Sequence, residues 1–169
     1  MFTVIFSNVD TFTTDKLSEL KLRLSLFTTT KSVIAVSEVK PKNFRFDRTL
    51  SEYNLDGYEM LTLNLCNNDA GRGMILYIDS CVKYSPINID IDFQEYICVE
   101  FSLKSKDKLL LASIYRSPSS DDVNNGNLNI SLKKLCNMSY SHLLLFGDMN
   151  FPHIDCNNIS TDKGAGDCN

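Results

Sequence analysis

Residues 142–155 read H-L-L-L-F-G-D-M-N-F-P-H-I-D. Leu143 to Phe146 form an unbroken apolar run, long enough for one strand buried on both faces. Gly147 then loosens the backbone, and Asp148 and Asn150 follow. Side chains two apart on an extended chain point the same way, so a carboxylate and a carboxamide would project together from the end of a core strand. Pro152 stops the strand. An Asp/Asn turn after a strand is the plain alternative, because both residue types are favoured in turns.

Two other segments repeat the pattern. Phe2 to Ser7 alternates as a strand and ends in Asn8-Val9-Asp10; Val33 to Ser37 is a second apolar run and ends in Glu38. Between them, Leu17, Leu20, Leu24 and Phe27 fall at helical spacing over Asp15 to Phe27, with Asp15 suited to the first turn. A strand-helix-strand order places the two strands as neighbours in one α/β sheet, where sites gather at strand ends. Asn8, Asp10, Glu38, Asp148 and Asn150 are therefore expected to converge.

The middle of the chain reads as strands at 58–64, 74–78, 95–103 and 108–115, a β-meander between two β-α regions. Asn67 to Gly73 is its first turn, Ser119 to Gly126 a polar loop, and Leu128, Leu132 and Leu135 mark a short helix. Residues 40–56 are polar and irregular, with Lys42, Arg45 and Arg48. That segment is either an exposed loop or a rim that touches phosphate. The tail from Thr161 shows no core pattern and is expected to fray.

Composition sets the bounds. The chain has 169 residues, 43% hydrophobic and 22% charged, which suits one globular domain. A formal net charge of -4 argues against attachment to nucleic acid mainly through bulk positive charge, and leaves room for an enzyme that grips DNA through a local basic rim. The six cysteines form no C-x-x-C pair and are read as reduced thiols of an intracellular protein. No apolar run approaches the length of a membrane span.

The segments N-V-D (8–10), V-I-A-V-S-E (33–38), G-R-G-x-x-L-Y-I (71–78), I-Y-R-S-P (114–118) and L-L-L-F-G-D-M-N (143–150), in this order, resemble the endonuclease/exonuclease/phosphatase superfamily. E-V-K-P-K-N (38–43) and L-S-E-Y-N-L-D-G-Y-E (50–59) narrow the resemblance to the apurinic-type endonuclease domain of non-LTR (LINE-like) retrotransposon polyproteins. It spans residues 1–156 as one partial domain, with 157–169 a tail.

The resemblance implies a four-layer α/β sandwich and Mg²⁺-dependent cleavage of a phosphodiester, with Mn²⁺ as a substitute. Glu38 would be the metal ligand, with Asp10 and Asn8 beside it. Tyr115 would hold the scissile phosphate, Asp148 would orient or deprotonate the attacking water, and Asn150 would stabilise the phosphate. Lys40, Lys42 and Arg116 would touch nucleic acid. DNA would be the substrate, the parent polyprotein would carry a reverse transcriptase, and the nucleus would be the expected location.

The resemblance is incomplete. The family's C-terminal Ser-Asp-His and the Asn shortly after its Tyr motif have no counterpart, and His142 and His153 do not occupy the family's His position. Missing final strands imply uncovered sheet edges and a tendency to aggregate. Two competing expectations follow: a remnant without catalysis that binds metal or nucleic acid weakly, and a phosphatase of the same superfamily acting on a phospholipid or inositol phosphate.

Overall fold

A computed structural model describes residues 2–26, 31–43, 49–66, 69, 71–151, 154–155 and 160–161. Phe27, Arg45, Arg48, Pro152 and His153 lie outside the described residues, as do Cys156 and Cys168.

The first sheet is built from β1 (Phe2–Asn8), β2 (Lys31–Ser37), β3 (Tyr58–Leu63) and β4 (Met74–Asp79), in the order β1-β2-β4-β3. The second holds β5 (Tyr84–Pro86), β6 (Tyr96–Ser102), β7 (Lys108–Tyr115) and β8 (His142–Asp148), in that order. Each sheet contains one parallel pair, β1 with β2 and β7 with β8. A parallel pair needs a crossover, and a helix supplies it each time: α1 (Thr14–Ser25) and α2 (Asp122–Cys136). Each sheet is also contiguous in sequence, the first within residues 2–79 and the second within 84–148.

Two of these strands are apolar throughout because both their faces are covered. In β2, Val33 and Ala35 join the core between the sheets, where they meet Val99 and Leu111, while Ile34 and Val36 pack under Leu17 of α1. In β7, Leu111 and Tyr115 face the other sheet, while Leu110, Ala112 and Ile114 pack under Leu128 and Leu135 of α2. The order is helix, sheet, sheet, helix, which is the four-layer sandwich.

Thr13 caps α1 by accepting from the Lys16 amide, and Asp121 caps α2 by accepting from the Asn124 amide. The second cap corrects the expected loop at 119–126. The helix begins at Asp122, and its polar first turns D-V-N-N-G-N lack the apolar spacing that marks a buried face. The expected meander is corrected as well. Its strands divide between the sheets, β3 and β4 in the first and β6 and β7 in the second, with the short β5 added at an edge.

The reading of Leu143 to Phe146 as buried on both faces does not hold. Leu143 is 36% exposed, and Leu144, Leu145 and Phe146 are half-buried. Among the described residues β8 pairs on one side only, as does β1, and Phe6 and Phe146 meet edge to face at 6.3 Å.

Gly147 fixes the exit of β8. Its φ is 142°, and a Cβ there would lie 1.8 Å from the Ile114 carbonyl oxygen. Backbone cannot yield as a flexible side chain does. Gly147→Ala is therefore expected to cost about 3 kcal/mol or more. Urea unfolding measures it, and an unchanged midpoint would contradict the close β7–β8 approach.

Candidate functional site at the strand ends

Because β1 runs with β2 and β7 with β8, the last residues of each pair lie side by side: Asn8 with Ser37, and Tyr115 with Asp148. The two pairs meet across the sandwich. The Asn8 carboxamide donates to Asp148 Oδ2 at 2.7 Å, and the Tyr115 hydroxyl donates to Glu38 Oε1 at 3.3 Å. Four strand ends from both sheets thus share one rim.

The chain leaves these strands in the left-handed region at Asp10, Thr11, Glu38 and Asn150, with φ of 37°, 79°, 58° and 46°. Local hydrogen bonds hold it there. The Asp10 amide donates to Asn8 Oδ1, and the Thr11 amide donates to the Glu38 carbonyl. The Lys16 ammonium donates to the carbonyls of Val9, Asp10 and Thr11, pinning the exit loop to α1.

Asn150 departs from the extended geometry that would align it with Asp148. Its amide donates back to Asp148 Oδ1, and its carboxamide donates to the Arg116 carbonyl at 2.7 Å. Strand geometry ends at Asp148, so the carboxylate and the carboxamide do not project as a pair.

Glu38 and Asp10 share a partner that the sequence did not mark. Arg72 places Nη1 2.9 Å from Glu38 Oε2 and Nη2 2.7 Å from Asp10 Oδ1. Its Nε donates to the Lys40 carbonyl at 2.7 Å. Glu38 and Arg72 are both buried, so each charge depends on the other. Arg72 lies in N-N-D-A-G-R-G, which reads as a turn. The two glycines that permit that turn also aim the arginine inward, and no periodicity reveals this. Glu95 was missed too: it accepts from the Ser117 hydroxyl and amide and from the Asn124 carboxamide, bracing the loop after Tyr115.

Two of the three expected nucleic-acid contacts are corrected. Lys40 is 1% exposed, and its ammonium donates to the Asp69 carbonyl at 2.7 Å. Burial lowers its pKa. Arg116 is 6% exposed. Its Nε donates to Asn125 Oδ1 and its Nη1 to the Asn150 carbonyl, both at 2.7 Å, and its guanidinium lies 4.2 Å from the Phe151 ring centre. Both side chains are buried and each spends its charge on a peptide carbonyl of a neighbouring loop. Lys42 remains exposed, 3.9 Å from Asp10 Oδ2.

The Arg72 guanidinium, ahead of Lys42, lowers the Asp10 carboxyl pKa. Burial, and then the Glu38 carboxylate, raise the Tyr115 hydroxyl, which stays a proton donor. Burial also raises Tyr77 and pushes the Cys98 thiol up to about 12.

No protein-family profile fits the sequence, and no curated protein matches it. Solved structures do match. The endonuclease domain of TRAS1, a telomere-specific non-LTR retrotransposon, is similar at a TM-score of 0.57 and 15% identity, over 87% of this chain and 58% of that one. The AP endonuclease LMAP from Leishmania major is similar at 0.59 and 14% identity, over 86% of this chain and 54% of that one. The chain therefore shares its four-layer α/β fold with both structures, and it spans just over half the length of each. Among the described residues no helix is long and apolar enough to cross a membrane.

Two predictions follow from these contacts. Arg116→Ala should lower stability by about 2 kcal/mol, since it removes a buried side chain and leaves two part-buried acceptors without their donor. Lys42→Ala should leave the unfolding midpoint in place, and equal loss in both variants would refute the distinction. The second concerns pH. Unfolded thiols and phenols lose protons near roughly 8.5 and 10, whereas the fold keeps Cys98, Tyr77 and Tyr115 protonated. The unfolded chain then binds fewer protons, so stability is complete below about pH 8.5 and falls as pH rises toward 12. Asp10 acts in the opposite sense, contributing above about pH 4 and losing that contribution as pH falls. Urea titrations from pH 3 to 11 would show a decline on both sides, and a flat alkaline limb would refute the first assignment.

Proposed function

We propose that this chain carries the catalytic rim of a metal-dependent endonuclease that hydrolyses DNA phosphodiesters. The observation that carries this reading is the convergence of Asn8, Glu38, Tyr115 and Asp148 from four strand ends, joined by Asn8–Asp148 and Tyr115–Glu38 hydrogen bonds. The likeness in fold to two endonucleases supports it.

The donor set fits Mg²⁺, which takes one or two carboxylates and completes its shell with water and phosphate oxygens. Glu38 and Asp10 would hold it. Each has one oxygen in contact with Arg72 and a second, Glu38 Oε1 and Asp10 Oδ2, on the other side. Among the described residues there is no cluster of three His, Cys, Asp or Glu placed to hold a metal. When bound, the cation neutralises charge on the reacting phosphate and the leaving oxygen.

The side chains divide the remaining work. Asp148 takes a proton from water or orients it, its carboxylate held in place by the Asn8 carboxamide on Oδ2 and the Asn150 amide on Oδ1. Tyr115 donates its hydroxyl to a phosphate oxygen, a role for which its raised pKa suits it. Asn150 acts through the loop: it ties the Asp148 exit to the Arg116 carbonyl and keeps a second N–H for phosphate. Lys42 is the cation placed to meet the DNA backbone. The retrotransposon neighbour fits a DNA substrate and a polyprotein setting, and our reading adds a reverse transcriptase in the parent polyprotein and action on nuclear DNA.

A second reading is metal or nucleic-acid binding without turnover. It is favoured by Arg72, which already occupies both candidate metal ligands. Plasmid nicking with Mg²⁺ separates the two. The parent should nick, and Glu38→Ala and Asp148→Ala should each reduce the rate by about 10²-fold or more. An inactive parent that still binds Mn²⁺ would establish the second reading instead.

A further inference from the structure

We infer that Arg72 is a positioning residue: a built-in counter-cation that sets the spacing of Glu38 and Asp10 and keeps the free site weak for a divalent cation. This rests on the reading of those two acids as metal ligands.

Three observations carry it. First, each nitrogen of the guanidinium has a partner: Nε the Lys40 carbonyl, Nη1 Glu38 and Nη2 Asp10. A planar fork fixes its acceptors in angle as well as distance, which a lysine ammonium does not. Two acids on separate exit loops are thereby held at one spacing.

Second, the arginine cannot swing aside. The Lys40 amide donates to the Arg72 carbonyl at 2.7 Å, and the Val39 amide to the Gly73 carbonyl at 3.3 Å. Gly71 and Gly73 turn the loop at φ of 82° and 73°, and the arginine side chain is 10% exposed. Displacing it would disturb that loop and leave the buried Glu38 carboxylate without its cation. A metal therefore shares the carboxylates with Arg72.

Third, the local charge is balanced. Glu38, Asp10 and, across the rim, Asp148 carry three negative charges, against which stand Arg72, Lys42 at 3.9 Å from Asp10, and the Lys16 ammonium on the exit-loop carbonyls. A divalent cation meets a site that is close to neutral before substrate arrives. The missing negative charge is the kind a phosphodiester brings, so metal and DNA would reinforce one another.

The test is Mn²⁺ binding to the free protein, read from the electron paramagnetic resonance of unbound Mn²⁺, with Glu38→Gln as background. Thermal melting is run in parallel. Arg72→Met should bind Mn²⁺ about tenfold more tightly than the parent, because one nearby positive charge is gone. Arg72→Lys, which keeps the charge, should stay within about threefold of the parent. Arg72→Met should melt lower than the parent in chelator and recover on Mn²⁺ addition, the cation replacing the guanidinium.

Equal or weaker binding by Arg72→Met would overturn the inference. So would tenfold tighter binding by Arg72→Lys, or an Arg72→Met chain that stays unfolded in millimolar Mn²⁺. If the parent and Arg72→Met both bind no more than Glu38→Gln, the metal reading of the site falls and this inference with it. If both bind alike above that background, only the role of Arg72 falls.

Discussion

Parallel strands cannot be joined by a tight turn, and this constraint governs the molecule. A chain that pairs β1 with β2 must cross over the sheet to do so, and so must a chain that pairs β7 with β8. Each crossover brings two strand ends to the same edge, and packing the two sheets face to face brings the two edges together. The Asn8–Asp148 hydrogen bond marks where they meet. Every residue given a chemical role stands on that rim or on a loop tied to it.

The rim is also where the backbone is least relaxed. Left-handed conformations at Asp10 and Asn150 are tolerable, since short polar side chains bond locally. At Thr11, which is β-branched, and at Glu38 they are costly, and neighbouring amides and carbonyls hold them in place. A buried carboxylate on a buried arginine adds desolvation to that cost. The large apolar core, with three clusters in successive layers, offsets it.

How much of this was legible depended on whether a signal lay along the chain or across it. β2 and β7 announced themselves because strands covered on both faces are apolar throughout. β8 gave the same signal yet is an edge strand, since a run of leucines does not say how many neighbours it has. α2 hid its start because capping replaces apolar spacing there, and β5 hid because three residues with a proline carry no period. The meeting of Asn8, Glu38 and Asp148 was legible from strand ends, and Tyr115 beside them came from the resemblance. Arg72 was not legible, and Lys40 and Arg116 were misjudged, because a cation's direction is decided by the acceptors around it. Sequence records the charge and not the carbonyl that takes it.

Each sheet draws all its strands from one uninterrupted half of the sequence, and the break falls between Asp79 and Tyr84. The pairing of strands can therefore be completed within each half, without waiting for the other. The rim cannot. Asn8, Asp10, Glu38 and Arg72 come from the first half, and Tyr115, Asp148 and Asn150 from the second. Assembly of the site thus reports the docking of two separately knitted pieces. A polypeptide nicked between 79 and 84 would keep each piece's hydrogen-bond ladder and depend on fragment complementation, through the apolar faces of Val99 and Leu111 against Val33 and Ala35, to restore its chemistry.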